Sequence, residues 1–277
     1  MTEAAPKKPI IFYIMRHGQT EDNLAGLSSG MGRNPQLTEE GSAGVERVIP
    51  VVEQLDPAPT VAVSSDLDRA RDTADIVTST LKNVRRLPHD EALGEMFLGD
   101  DEGLDERTRP ERLLKVIKEG DGWGRKIEGV PSEVVEKLEQ LVAHIKAGTL
   151  PADMNPIAIE NEVHRYDRRG STGLWEPVEN HRLRIADAIQ HAVRGDSGTE
   201  HNIPLVVCHA GSVRRMLEMA GLPHSVGVKN AAIYKFVQDD TAPKGWRIYS
   251  MSVDEQRALQ TTEIPIPQQA AVEAAKR

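Results

Sequence analysis

The chain has 277 residues, 39% hydrophobic and 28% charged, ordinary values for a globular protein with a sizeable core. A net charge of −9 at pH 7 has the wrong sign for a nucleic-acid backbone binder, and 4% aromatic residues offer little for bases to stack on. The single cysteine, Cys208, excludes an internal disulfide framework and fits a reducing cytoplasm, and no apolar run approaches the roughly 18 residues of a membrane span.

Residues 1–9 read as a disordered polar lead-in without the apolar stretch of a secretory signal, so a soluble, cytoplasmic protein is expected. From Ile10 the run IIFYIM is short, apolar and β-rich, a buried strand delivering Arg16-His17-Gly18. A Gly/Ser-rich loop follows through Gly26–Gly32, then LTEEG at 37–41, where Thr38 is a helix N-cap with acids in the first turn. Pro50 should kink or end that helix. A second strand, TVAVSS at 60–65, runs into DLDRARDTADIVTSTL, whose apolar residues recur at helical spacing. A weak third strand lies at 84–87.

The interval from about 104 to 175 breaks this pattern. It opens with charge and holds one convincing amphipathic helix, EVVEKLEQLVAHIKAG, stopped by Gly148, before the loop-like TLPADMNP. It reads as a mainly helical insert or lid. At 203–221, IPLVVCHAGSVRRMLEMAG repeats the order of strand, small-residue turn and helix. AAIYKFVQ and WRIYSMS are two more strands joined by DDTAPKG, and residues 263–277 read as a tail. Strands alternating with helices predict an α/β protein: a three-layer α/β/α domain over 10–262 with a mostly parallel central sheet, interrupted by the insert.

Three strand ends carry chemistry: Arg16-His17-Gly18, Asp66–Arg69 and Cys208-His209-Ala210-Gly211. Ligands of open α/β sheets bind beyond the carboxyl ends of the strands. If these three strands are neighbours, two arginines and two histidines meet in one pocket, the local positive charge that an acidic phosphate-binding protein needs. Phosphoryl transfer requires a nucleophile, donors around the equatorial oxygens and an acid for the leaving oxygen. A neutral imidazole can attack when arginines disfavour its protonated form. The planar fork of arginine suits phosphate better than lysine does, and Gly18 would let the backbone approach the phosphate.

RHGQTEDN at Arg16–Asn23, with the asparagine seven residues after the arginine, resembles the RHGxTxxN-type signature of the histidine phosphatase superfamily, the relatives of the cofactor-dependent phosphoglycerate mutases. SSDLDRARDTA at 64–74, EMFLGDDEG at 95–103 and VVCHAGSVRRML, with His209, resemble its later blocks in order, and NAAIYKFV from Asn230 is similar to a strand that follows them. The resemblance covers 10–103 and 203–237. It implies that His17 is the nucleophile, that Arg16, Arg69 and His209 bind the transferring phosphoryl, and that Glu95 protonates the leaving oxygen and later activates water. Glu102, Asp100 and Asp101 compete for the acid's role, and Glu95 is selected by its position four residues before Gly99. Asn23 would line the phosphate pocket, with Gln19 and Thr20 as neighbours. The resemblance implies no metal and no cofactor.

The expected activity is therefore hydrolysis of a small phosphorylated metabolite through a phosphohistidine, with no nucleic-acid or membrane partner. One alternative is phosphoglycerate mutase-type transfer by the same residues, although Arg168-Arg169-Gly170 matches the mutases' arginine-pair motif poorly. A second is an inactive phosphate-binding scaffold, which would not need the acid. CHAGSVR also has the CxxxxxR spacing of cysteine-dependent phosphatases, but a small buried residue closing a strand is the simpler reading of Cys208. His89, His144, His181, His191 and His201 read as surface residues, and Arg71 as a surface charge. His164, with Arg165, Arg168 and Arg169, reads as a solvated loop that could grip a second anionic group. Trp123 could cap a lid.

Overall fold

The computed structural model describes residues 9–266 apart from 82, 106, 121–124, 167–175, 196–197, 199, 224–225 and 254–257. The apolar run after Ile10 forms β1 (Ile11–Arg16), paired in parallel with β4 (Pro204–Cys208), which pairs in parallel with β2 (Val61–Ser64). A two-residue β3 (Arg85–Arg86) extends that side. On the other side β5 (Ile233–Gln238), β6 (Trp246–Val253) and β7 (Leu259–Glu263) continue antiparallel, giving the order β3-β2-β4-β1-β5-β6-β7. The sheet is thus parallel through the strands whose ends carry chemistry and antiparallel beyond β1.

Both faces of β1 are buried, which accounts for its hydrophobic middle, and the Tyr13 hydroxyl donates to the Pro57 carbonyl at 2.9 Å. Phe12 and Ile14 face one apolar cluster, Tyr13 and Met15 the other, because successive side chains of a strand point to opposite faces. Full burial of each is worth roughly 1.5–3 kcal/mol, so the strand is held firmly on both sides. The first face is covered by α8 (Val178–Arg194) and α9 (Ala210–Met219). The second is covered by α2 (Glu39–Glu46), α3 (Ile49–Glu53) and α4 (Asp68–Thr78). This is the expected three-layer α/β/α arrangement.

Local rules account for most element ends. Thr38 caps α2, accepting from the Gly41 N–H at 2.8 Å. Pro50 stands in the first turn of the separate α3, so the expected break occurs before it. A five-residue α1 (Glu21–Ala25) was not expected in the loop region; a reciprocal capping box between Thr20 and Asn23 makes it.

Between the third block and β4, α5 (Thr108–Lys118), α6 (Ser132–Ala147) and α7 (Pro156–His164) enclose their own cluster, centred on Leu113, Leu138, Leu141 and Val163. Gly148 ends α6 in the left-handed conformation, as its position predicted. The segment read as a loop before α7 instead supplies its cap, Asn155, with Pro156 at the first helical position. The expected tail also begins too early. Glu263 closes β7, the Ile264 N–H donates to the Ile248 carbonyl at 2.8 Å, and Ile264 and Ile266 pack against the core.

Candidate functional site

Because β4 lies between β1 and β2, three chemistry-bearing strand ends are neighbours. Arg16 is the last residue of β1, and its guanidinium donates to the Val228 carbonyl at 2.7 Å. The next backbone N–H, that of His17, donates to the Cys208 carbonyl at 2.9 Å, tying the turn after β1 to the end of β4. His209 follows at the N-cap position of α9, its side chain making no cap hydrogen bond. Arg69, in the first turn of α4, is buried and donates to the carbonyls of Arg33 at 2.9 Å and Gly30 at 3.1 Å.

The two histidine rings stand edge to face with centroids 5.2 Å apart, and both are buried. Nδ1 of His17 lies 2.6 Å from the Gly18 carbonyl oxygen. A carbonyl only accepts, so in the neutral ring Nδ1 carries the proton and Nε2 keeps a lone pair. Burial, then the nearby Arg69 and Arg16 guanidiniums, hold His17 well below its usual range. Burial, then Arg69, His17, His181 and Arg16, do the same to His209. Neither ring nitrogen of His209 meets a hydrogen-bond partner among the described residues. A buried polar group in that condition is costly unless something binds it.

The cavity in front of His17 has a volume of about 150 Å³ and is lined by Arg16, Asn23, Ser28, Ser29, Glu95, Gly211 and Arg214, with Arg109 and Glu160 reaching in from the insert. Glu95 is half-buried, and each of its carboxylate oxygens accepts a backbone N–H at 2.8 Å, Oε1 from Met96 and Oε2 from Gly211. The backbone before it is held by Arg184 of α8. Its guanidinium donates to the carbonyls of Ala92 and Gly94, each at 2.7 Å, and of Glu95 at 2.9 Å, while pairing with Glu176. Arg109 and Glu160 form a buried ion pair at 2.9 Å, and Arg109 also donates to the Ser28 hydroxyl.

Of the residues expected around the phosphate, Asn23 lines the cavity, and its Oδ1 accepts from Asn230 Nδ2 at 2.9 Å. Arg69 and His209 lie buried behind its wall rather than in it, and Gln19 and Thr20 do not line it either. The Thr20 hydroxyl accepts from the Asn23 N–H at 3.3 Å as the cap of α1, and Gln19 Oε1 accepts from Thr38 Oγ1 at 3.1 Å. Gly18 serves packing rather than approach to an anion, since a Cβ there would lie 2.8 Å from both the Gly41 carbonyl and Val45. Glu102 also has a different role from the proton donor's. Its carboxylate gathers the N–H groups of Gly30 at 2.7 Å, Gly32 at 3.1 Å and Leu98 at 3.2 Å, shaping the loop whose carbonyls hold Arg69.

Cys208 is fully buried in the core and absent from the cavity wall, and burial pushes its thiol up, away from the thiolate that a cysteine mechanism needs. His89, His191 and His201 are exposed and His144 half-buried. His181 is not a surface residue: it is fully buried in α8, 3.8 Å from Glu95. His164 ends α7 and is buried, not part of a solvated loop. Arg71 is partly exposed and pairs with Asp68. Arg168, Arg169 and Trp123 lie outside the described residues. Sequence reading missed α8 entirely, and with it His181 and Arg184, although Ile185, Ala188, Ile189 and Ala192 carry helical spacing.

A family model described as the histidine phosphatase superfamily (branch 1) matches residues 12–151, a span that includes His17, Arg69 and Glu95 but not His209. Among solved structures, the chain is similar to a phosphoglycerate mutase from Bacillus anthracis str. Sterne, at 19% identity and a TM-score of 0.60, over 93% of each chain. It is also similar to a mycobacterial glucosyl-3-phosphoglycerate phosphatase in complex with VO3, at 20% identity and a TM-score of 0.53, over 92% of this chain and 100% of that one. A third similar structure is mycobacterial hydrolase 1, at 21% identity and a TM-score of 0.52, over 88% of this chain and 97% of that one. At these identities the likeness concerns the fold. No curated protein matches the chain. Among the described residues no helix is long and apolar enough to cross a membrane.

Proposed function

The chain belongs to the histidine phosphatase superfamily, and from that membership together with its site we propose that it hydrolyses phosphomonoesters of small metabolites through a phosphohistidine on His17. The observation that carries this reading is the pair of buried imidazoles, 5.2 Å apart and held neutral between Arg16 and Arg69. A protonated ring could not attack phosphorus, whereas Nε2 of His17 keeps its lone pair because Nδ1 is engaged by the Gly18 carbonyl.

In the first step Nε2 bonds to phosphorus as the bond to the ester oxygen breaks, and protonated Glu95 delivers its proton to that oxygen. Arg16, Arg69 and His209 donate to the equatorial oxygens as charge spreads over them. In the second step the Glu95 carboxylate takes a proton from water as the water oxygen attacks phosphorus. The P–N bond breaks, inorganic phosphate leaves, and His17 recovers its lone pair. No step requires a metal. The cavity volume of about 150 Å³ corresponds to on the order of ten waters, room for a phosphate and a small organic group.

The test is phosphate release from a panel of phosphorylated metabolites, with alkali-quenched trapping of the acid-labile phosphoenzyme, in the presence of EDTA. Wild type should turn over and label, and His17→Ala should lose both by more than about 10³-fold. Full activity in His17→Ala would overturn the proposal. So would rapid isomerisation of 3-phosphoglycerate outpacing phosphate release in the presence of 2,3-bisphosphoglycerate, which would mark a mutase. An absence of turnover by wild type across the panel would mark a phosphate-binding scaffold.

A further inference from the structure

His181 is a buried titratable side chain beside the site that this mechanism does not use. It sits in the first turn of α8, fully buried, with Nε2 3.2 Å from Ser212 Oγ and 3.8 Å from Glu95 Oε1. Ser212 in turn donates to the Gly94 carbonyl at 3.4 Å. Gly94 immediately precedes Glu95, and Ser212 immediately follows Gly211, whose N–H holds Glu95 Oε2 at 2.8 Å. One ring therefore links the two backbone segments that grip the carboxylate.

With the Ser212 proton directed at Gly94, its oxygen accepts from His181, so Nε2 carries the hydrogen. The ring also donates to the Gly94 backbone carbonyl, whereas Glu95 Oε1, at 3.8 Å, lies beside it but beyond hydrogen-bond distance. The charged and titratable groups around the ring are Glu95, Arg184 of its own helix, Arg215 of α9 and His209 at the cap of α9. Burial and the two arginines keep it neutral. A neutral ring beside the carboxylate does not compete with it as an acid.

We infer that His181 is a positioning residue: through Ser212 and the Gly94 backbone it holds the Glu95 carboxyl where it can protonate the departing oxygen. The inference rests on the reading of Glu95 as the proton donor. It predicts an effect that depends on the leaving group, because a nitrophenolate departs with little help from an acid whereas an alkoxide requires the proton.

Rapid-quench measurement of phosphoenzyme formation tests it, with p-nitrophenyl phosphate and glycerol 1-phosphate as substrates. His181→Leu should slow formation from the alkyl ester by about 10–10²-fold while changing that from the aryl ester by less than about threefold, and His181→Gln, which restores an N–H, should recover most of the loss. Ser212→Ala, a smaller change that keeps the helix packed, should show the same selectivity at about three- to tenfold. Equal losses on both esters, or none on the alkyl ester, would overturn the inference. Glu95→Gln separates the two levels. If it is selective for the alkyl ester and His181→Leu and Ser212→Ala are not, only the positioning role fails. If Glu95→Gln treats both esters alike, the assignment of the acid fails and the inference with it.

Discussion

Glu95 reaches Gly211 because Gly211 has no side chain: a Cβ there would lie 2.1 Å from Glu95 Oε1. The obstacle is a carboxylate that can swing away, so Gly211→Ala should fold and should displace the acid. We expect its kcat on alkyl phosphates to fall by about 10²-fold with the thermal midpoint shifted little, measured by steady-state kinetics beside a melting curve. At this scale the sequence was most legible where chemistry is contiguous. Arg16 and His17 adjoin one another, Arg69 and Glu95 each sit inside a recognisable block, and the structure brings all of them with His209 to one end of the sheet. His181 escaped because nothing beside it in the chain bears on Glu95; only the packing of α8 against α9 brings them together. Thr20 and Gln19 were drawn into the site by adjacency to His17, yet their side chains serve a helix cap and a contact with Thr38.

Among the elements, those with strict periodicity and strong end signals were read well: β1, β4, α4, α6 and α9. Those read poorly depend on partners. β7 is polar and largely exposed, and exists because β6 offers it an edge. α8 has its apolar stripe, but the polar residues crowded between obscured it. The three insert helices share a cluster separate from the two that flank the sheet, which gives a test of their independence. Leu141, fully buried in that cluster, should cost about 2–5 kcal/mol on truncation to alanine. Hydrogen exchange should show the loss confined to amides of α5, α6 and α7, with β1 and β4 keeping their protection. Acceleration spread evenly over the sheet would mean that insert and sheet unfold as one unit.

For the whole molecule, three buried histidines held neutral, His17, His181 and His209, link stability to pH. Each would bind a proton below about pH 6.5 in the unfolded chain but resists doing so in the folded one. Acidification therefore favours unfolding. Their shared contribution is intact above about pH 6.5 and is lost as pH falls toward the lowered folded values, at about 1.4 kcal/mol per pH unit for each ring, or about 4 for the three. Urea midpoints between pH 7.5 and 5.5 should fall accordingly, and replacing His181 with Gln should remove about a third of the slope. A flat profile would show that the rings accept protons in place.

The strand order has a consequence for how the protein comes into being. β4, the middle of the parallel region, is contributed by residues 204–208. A nascent chain that has emerged only as far as the insert holds β1 and β2 with a gap one strand wide between them. Apolar edges stay open there until late in translation, and such non-local closure is slow. A ribosome stalled before residue 204 would thus present an aggregation-prone half-sheet, and the cavity at the strand ends would be complete only once the last parallel strand slid into place.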